Sequence, residues 1–151
     1  MRQQAALIIV TALGLSAVSA GAVDYVRLSP SEFASDLLAA SELAHAQRYV
    51  EAIAILRTLV NDEPSDADAL SLLGYSLRKT GQLDRAEHYY VRALEVAPNH
   101  LGANQYLGEF YVERGDLVKA KVRLDVLNRE CRDECGGRDE LAAAIAAAAA
   151  K

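Results

Sequence analysis

The residues of this 151-residue chain best equipped for chemistry are two cysteines four apart in "CRDECGG", three histidines, and a pair of carboxylates one helical turn apart. In an oxidising compartment Cys131 and Cys135 would form a local disulfide. The loop it closes is so short that the chain-entropy model allows it only about 2 kcal/mol, which suits a clasp that fixes a turn. A redox-active pair fits less well, because the spacing is not Cys-x-x-Cys and the neighbouring Asp133 and Glu134 would raise the thiol pKa values. Two thiolates would need further ligands to hold zinc. His45, His88 and His100 share no ligand spacing with each other or with the cysteines, so each reads as a surface or groove residue. Glu109 and Glu113 could in principle flank a substrate, but acidic faces are commonplace on solvated helices. The sequence contains no nucleophile elbow, phosphate-cradling glycine loop or metal-ligand motif. These residues point away from an enzyme, and no cofactor, metal or small-molecule substrate is expected.

The elements that carry these side chains are therefore more informative than the side chains themselves. Aliphatic residues dominate a 52% hydrophobic fraction, with only 9 Gly and 3 Pro, which suits an all-helical chain. The first residues, "MRQQAALIIVTALGLSAVSAGAVDY", run from a basic start at Arg2 through an apolar stretch, Ala5 to Leu15, into small residues. This is the order of a secretory signal peptide, with cleavage after Ala20 or Ala22. Residues 1–22 are expected to be that signal and 23–30 a short linker. The alternative is an inner-membrane anchor over residues 5–23, which approaches the roughly 20 apolar residues a span needs. The net charge of −5 becomes one unit more negative once Arg2 is removed. An acidic chain without a basic stripe repels phosphate backbones, so neither nucleic acid nor an anionic membrane surface is expected as a partner.

A single period of about 34 residues organises the rest. Gly74, Gly81, Ala86 and Tyr90 recur one period later as Gly108, Gly115, Ala120 and Leu124. Ala40, Gln47, Ala52 and Leu56 fall one period earlier, with Pro64 the same distance before Pro98. The middle copy, with Leu70, Leu73, Gly74, Leu77, Ala86, Tyr90, Ala93 and Pro98, resembles the tetratricopeptide repeat. It lacks only the aromatic residues at the first large position and at the tyrosine position. The third copy departs with Asn104 at the large position and Arg132 where proline would fall. The first departs with Asp36 at the large position and Ala39-Ala40 for Leu-Gly. The resemblance covers about residues 33–132 and implies an all-α, short right-handed superhelical solenoid of three helix pairs, about 33–66, 67–100 and 101–132, within a repeat region of 31–132. Residues 133–151 would supply a cysteine-containing turn and an alanine-rich capping helix.

The pattern also has a direct physical reading. Leu70, Leu73, Gly74 and Leu77 make one apolar stripe, and Leu83, Ala86, Tyr90, Ala93 and Leu94 make the next, so two antiparallel helices follow. A glycine inside a helix costs about 1 kcal/mol against alanine. Gly74 and Gly108 are therefore expected where a neighbouring helix comes close, with Ala86 and Ala120 as its small partners. Gly81 and Gly115 mark the turns, where a chain leaving a helix favours positive φ. Pro64 and Pro98 end the second helices, and Ser65 and Asn99 are the expected N-caps. The helices are expected at about 31–46, 49–62, 66–80, 83–97, 100–114 and 117–129. A seventh, capping helix carries Leu141 and Ile145 on one face, the alternative for its last five residues being a frayed alanine tail after Ile145.

In tetratricopeptide arrays the first helix of each pair lines the concave face. That resemblance places Leu37, Ser41 and His45, then Ser71, Tyr75, Arg78 and Lys79, then Gln105, Glu109 and Val112 in a groove. It would suit an extended peptide or a helix, with Tyr75 as an aromatic anchor and Arg78 free to take a carboxylate. The two-carboxylate clamp of the family's chaperone-binding members is absent, because its first Lys and Asn positions are Leu37 and Ser41. The function expected is a non-catalytic protein-interaction scaffold, periplasmic or secreted, serving as an accessory factor in a bacterial cell envelope. A self-assembling structural module stacking through its array ends is the alternative.

Overall fold

The computed structural model describes residues 27–132 and 135–150. The expected signal peptide and anchor lie outside these residues. Among the described residues no helix is long and apolar enough to cross a membrane.

Seven helices follow one another with no strand among the described residues: α1 Pro30–His45, α2 Tyr49–Asp62, α3 Ala67–Lys79, α4 Leu83–Val96, α5 Leu101–Glu113, α6 Leu117–Glu130 and α7 Gly136–Ala149. α1 packs with α2, α3 with α4 and α5 with α6, while α7 lies on both α5 and α6. Successive pairs meet through α2 on α3 and α4 on α5, and the first helices also touch each other. α1 begins at Pro30, inside the span expected as linker, because Ser29 and Glu32 form a reciprocal capping box around it.

Two expected caps shift by one residue. Ser65 and Asn99 do not cap, because each follows its proline in a tight turn closed by Asp66 N–H to the Glu63 carbonyl (3.2 Å) and His100 N–H to the Ala97 carbonyl (3.0 Å). Asp66 then accepts the Ala69 N–H at 2.7 Å, and the Nδ1 of His100 accepts the Ala103 N–H at 3.0 Å.

Within each pair the same turn recurs. Gly81 and Gly115 adopt φ of +80° and +76°, and Gln47, at the same repeat position, adopts +60° without being glycine. In all three the next residue's N–H reaches back to a helical carbonyl, from Arg48 to Leu43, Gln82 to Leu77 and Asp116 to Tyr111. The left-handed conformation is strained at Gln47 because of its Cβ.

The core is built from fully buried side chains of adjoining helices, among them Leu56, Leu59, Leu70, Leu73, Leu77, Tyr90 and Ala93. Gly74 sits where α4 comes closest: a Cβ there would lie 2.8 Å from the Tyr90 ring and 3.1 Å from the Ala86 carbonyl oxygen. Gly108 also faces a close approach, but not from Ala120. The side chain of Leu141 on α7 fills the space over it, and a Cβ there would also lie 3.2 Å from the Arg123 Cβ. Ala120, Leu127, Leu141 and Ile145 thus make a second, smaller core at the end of the array. Asn104, at the register position of Leu70, is fully buried and satisfied: its amide donates to the Pro98 and His100 carbonyls, both at 3.0 Å. Cys131 and Cys135, between α6 and α7, stand at disulfide distance from each other.

A buried ion pair ties the second helix pair to the third. The Arg78 side chain is 3% exposed and its Nη2 donates to the Glu109 carboxylate at 2.7 Å, with Glu113 3.6 Å from Nη1. Burial opposes its charge, but the Tyr90 phenol and the two carboxylates outweigh this and hold the guanidinium above its ordinary pKa.

These contacts carry consequences for stability that chemical denaturation can read. Helix propensity alone makes Gly74→Ala stabilising by about 1 kcal/mol. The contact with Tyr90 reverses the sign, to a net loss of about 1 kcal/mol, whereas Gln47→Gly is expected to gain about 1 kcal/mol by relieving the left-handed backbone. Arg78→Met is expected to cost about 3 kcal/mol, the lower end for breaking a buried pair because Glu109 keeps some solvent. An unchanged midpoint would show the clasp to be energetically idle.

Candidate functional site: the concave groove

The first helices of the three pairs face a continuous hollow. One part, about 470 Å³, is lined by Leu37, Leu38, Asp68, Ser71, Leu72, His100 and Tyr106 among others. The second, about 350 Å³, is lined by His45, Tyr75, Lys79, Gln105, Tyr106, Glu109 and Glu140. Both include Ser41, Leu72 and Tyr106, so they form one groove.

The repeat explains who lines it. Leu38, Leu72 and Tyr106 stand one full period apart, at one position of three successive first helices, and supply an apolar floor. Leu37, Ser71 and Gln105 occupy a second column, and Ser41, Tyr75 and Glu109 a third. Tyr75 lies at the centre of an aromatic chain, with ring centroids 6.0 Å from Tyr49 and 4.8 Å from Tyr106. Burial, and then the adjacent Tyr49, push its phenol up to about 12, so it stays neutral and acts as a hydrogen-bonding ring. The Lys79 ammonium lies 5.3 Å from the Tyr75 ring centroid, in cation–π contact.

At one end Gln105 Nε2 donates to Glu109 at 3.0 Å and to Glu140 of α7 at 2.9 Å, so the seventh helix closes that side of the groove. At the other end the His100 ring spans two pairs. Its Nδ1 is occupied as an acceptor by the Ala103 N–H, which assigns the proton to Nε2, 2.9 Å from the Asp68 carboxylate.

Tyr75, Lys79, Gln105, Glu109 and His45 therefore meet in one hollow, and Ser71 lines its neighbour. Arg78 does not line it. It is buried, and its charge is spent on Glu109 and Glu113, so it is not free for a ligand's carboxylate. Val112 is displaced likewise, packed against the Leu141 cluster. Both corrections have one cause: Arg78 and Val112 share a register position whose side chains turn into the packing between helices and away from the groove. The residues missed were Leu38, Leu72, Tyr106 and Glu140. The first three were visible as an apolar column outside the repeat's own pattern, while Glu140 arrives only through the docking of α7.

A third hollow, about 320 Å³, lies between α4 and α6 and is lined by Val91, Leu94, Leu107, Tyr111 and Val122. It involves only the last two pairs, whereas the groove crosses all three. Among the described residues no group of three or more His, Cys, Asp or Glu is placed to hold a metal ion.

The family model of the tetratricopeptide repeat matches residues 67–100. No curated protein matches the chain in sequence. Solved structures do match in fold. One is the type III secretion chaperone SycD of Yersinia enterocolitica in complex with a peptide of the translocator YopD, at a TM-score of 0.68 and 16% identity, covering 81% of this chain and 95% of that one. Another is PcrH, known from Pseudomonas aeruginosa, in complex with the chaperone-binding region of PopD, at 0.71 and 18%, covering 83% and 97%. A third is the first tetratricopeptide domain of Spaghetti (RPAP3) bound to the HSP90 peptide SRMEEVD, at 0.69 and 14%, covering 83% and 99%. Residues 67–100 thus match the tetratricopeptide repeat in sequence, and the helices on either side share the fold of these solved structures.

Proposed function

We propose that the chain is a non-catalytic interaction scaffold of three repeats and a capping helix that holds a peptide or partner helix in its concave groove. The observation that carries this reading is the Leu38–Leu72–Tyr106 column: apolar side chains at one repeat position, lining a hollow open to solvent, where a merely solvated face would be polar. Three neighbours in fold are bound to peptides or to a partner's binding region, which supports a peptide as the kind of ligand. The alternative, self-assembly through the array ends, is disfavoured by α7, which buries Leu141 and Ile145 on α5 and α6 and removes one of the apolar ends that stacking needs. We further propose export to the periplasm or beyond, in an accessory role in the cell envelope. The order of residues 1–22 supports export, and the placement of Cys131 and Cys135 at disulfide distance is compatible with an oxidising compartment.

Panning a phage-displayed random-peptide library against the protein tests the groove. Leu72→Asp is expected to weaken the best enriched peptide more than about tenfold, while Val122→Asp, on the far side, leaves affinity unchanged. Absence of enrichment, or equal binding by Leu72→Asp, would remove the reading. Light scattering should report a monomer at all concentrations, and growth of mass with concentration would restore the self-assembly alternative. Mass spectrometry of the native protein should find Gly21 or Val23 as its first residue, and an intact Met1 would rule out cleavage.

A further inference from the structure

The charges around the groove select among peptides, and this inference rests on the scaffold reading above. Of the two basic side chains on α3 near the groove, Arg78 is buried and committed, leaving Lys79, which sits on the Tyr75 ring. The carboxylates differ. Glu109 has both oxygens engaged, by Arg78 and by Gln105. Asp68 and Glu140 each use one oxygen, on His100 and Gln105 respectively, and both side chains are exposed. They line the groove's two hollows, Asp68 beside Leu72 and His100, Glu140 beside Tyr106 and Gln105.

We propose that the groove takes an extended peptide whose apolar side chains seat on the Leu38, Leu72 and Tyr106 floor and whose Lys or Arg side chains reach Asp68 in one hollow and Glu140 in the other. The spacing is set by α5. His100, bonded to Asp68, and Gln105, bonded to Glu140, are five residues apart on that helix. That axial rise, about 7.5 Å at 1.5 Å per residue, is spanned by about two residues of extended chain at roughly 3.3 Å each, and the reach of two basic side chains adds to it. Basic residues two to four positions apart with an aliphatic or aromatic residue between them are the expected signature. Acidic peptide tails are disfavoured twice: the family's clamp is replaced by Leu37 and Ser41, and the one guanidinium near the floor is already paired. The acidic net charge of the chain adds long-range attraction for such a partner.

The same displayed library gives the test. Enriched sequences should carry that basic–apolar–basic spacing. The double variant Asp68→Asn, Glu140→Gln should bind the best of them about five- to tenfold more weakly, with a shallower dependence on salt. Both substitutions keep an oxygen that can accept the existing hydrogen bonds from His100 and Gln105, so the fold is preserved, and circular dichroism checks this. Enrichment of neutral or acidic sequences, or unchanged affinity in the double variant, would overturn the charge inference. If Leu72→Asp still abolishes binding in that case, the groove reading stands; if it does not, the groove reading falls as well.

Discussion

Where α3 meets α4, the absence of a side chain at Gly74 lets the Tyr90 ring lie flush on the helix backbone, with the Ala86 carbonyl just beyond. A two-helix unit of this length cannot bury its apolar stripes alone, and close approach inside the pair lets the outer surfaces present continuous ridges to the next pair. Tyr90 is fully buried as a result and also contacts the third pair, with its ring 6.3 Å from that of Tyr106 and 6.5 Å from that of Phe110. One missing Cβ thus sets the spacing within the middle pair and, through Tyr90, the position of α5, which carries Tyr106 of the groove floor.

The third pair solves the same problem differently. Its glycine, Gly108, admits Leu141 from the capping helix instead of an aromatic ring from α6. The array is closed by inserting a side chain from outside the repeat into the slot the repeat leaves open. This also brings Glu140 to the groove rim, so the residue that ends the solenoid and one that shapes its binding surface are neighbours in sequence. The price of an inter-pair clasp at Arg78 is desolvation of a guanidinium, which is tolerable only because two carboxylates and a carbonyl surround it. Its consequence is a groove with fewer usable cations than the sequence displays.

Much of this was legible in the residues. The approximate helix boundaries, the positive-φ turns at Gly81 and Gly115 and the close approach of Ala86 to Gly74 follow from local rules acting at one fixed period, whereas the partner of Gly108 is Leu141 and not Ala120. The caps were displaced by one residue because a proline turn consumes Ser65 and Asn99 before the helix can begin. Arg78 and Val112 were misplaced because hydropathy does not reveal which side of a first helix faces the next pair. Charge argues for exposure, and a buried ion pair defeats that argument whenever its partners lie in a different repeat, as Glu109 and Glu113 do.

By itself the sequence determined the all-helical class and the approximate bounds of the helices, since these depend on spacing within one repeat and on backbone preferences at single residues. The tertiary structure decided which side chains remain available to a ligand. Availability depends on partners brought together across pairs: Glu109 with Arg78, His100 with Asp68, Leu141 with Gly108. Those contacts are set by the twist between successive pairs and by the docking of the last helix, and neither is written in any one repeat.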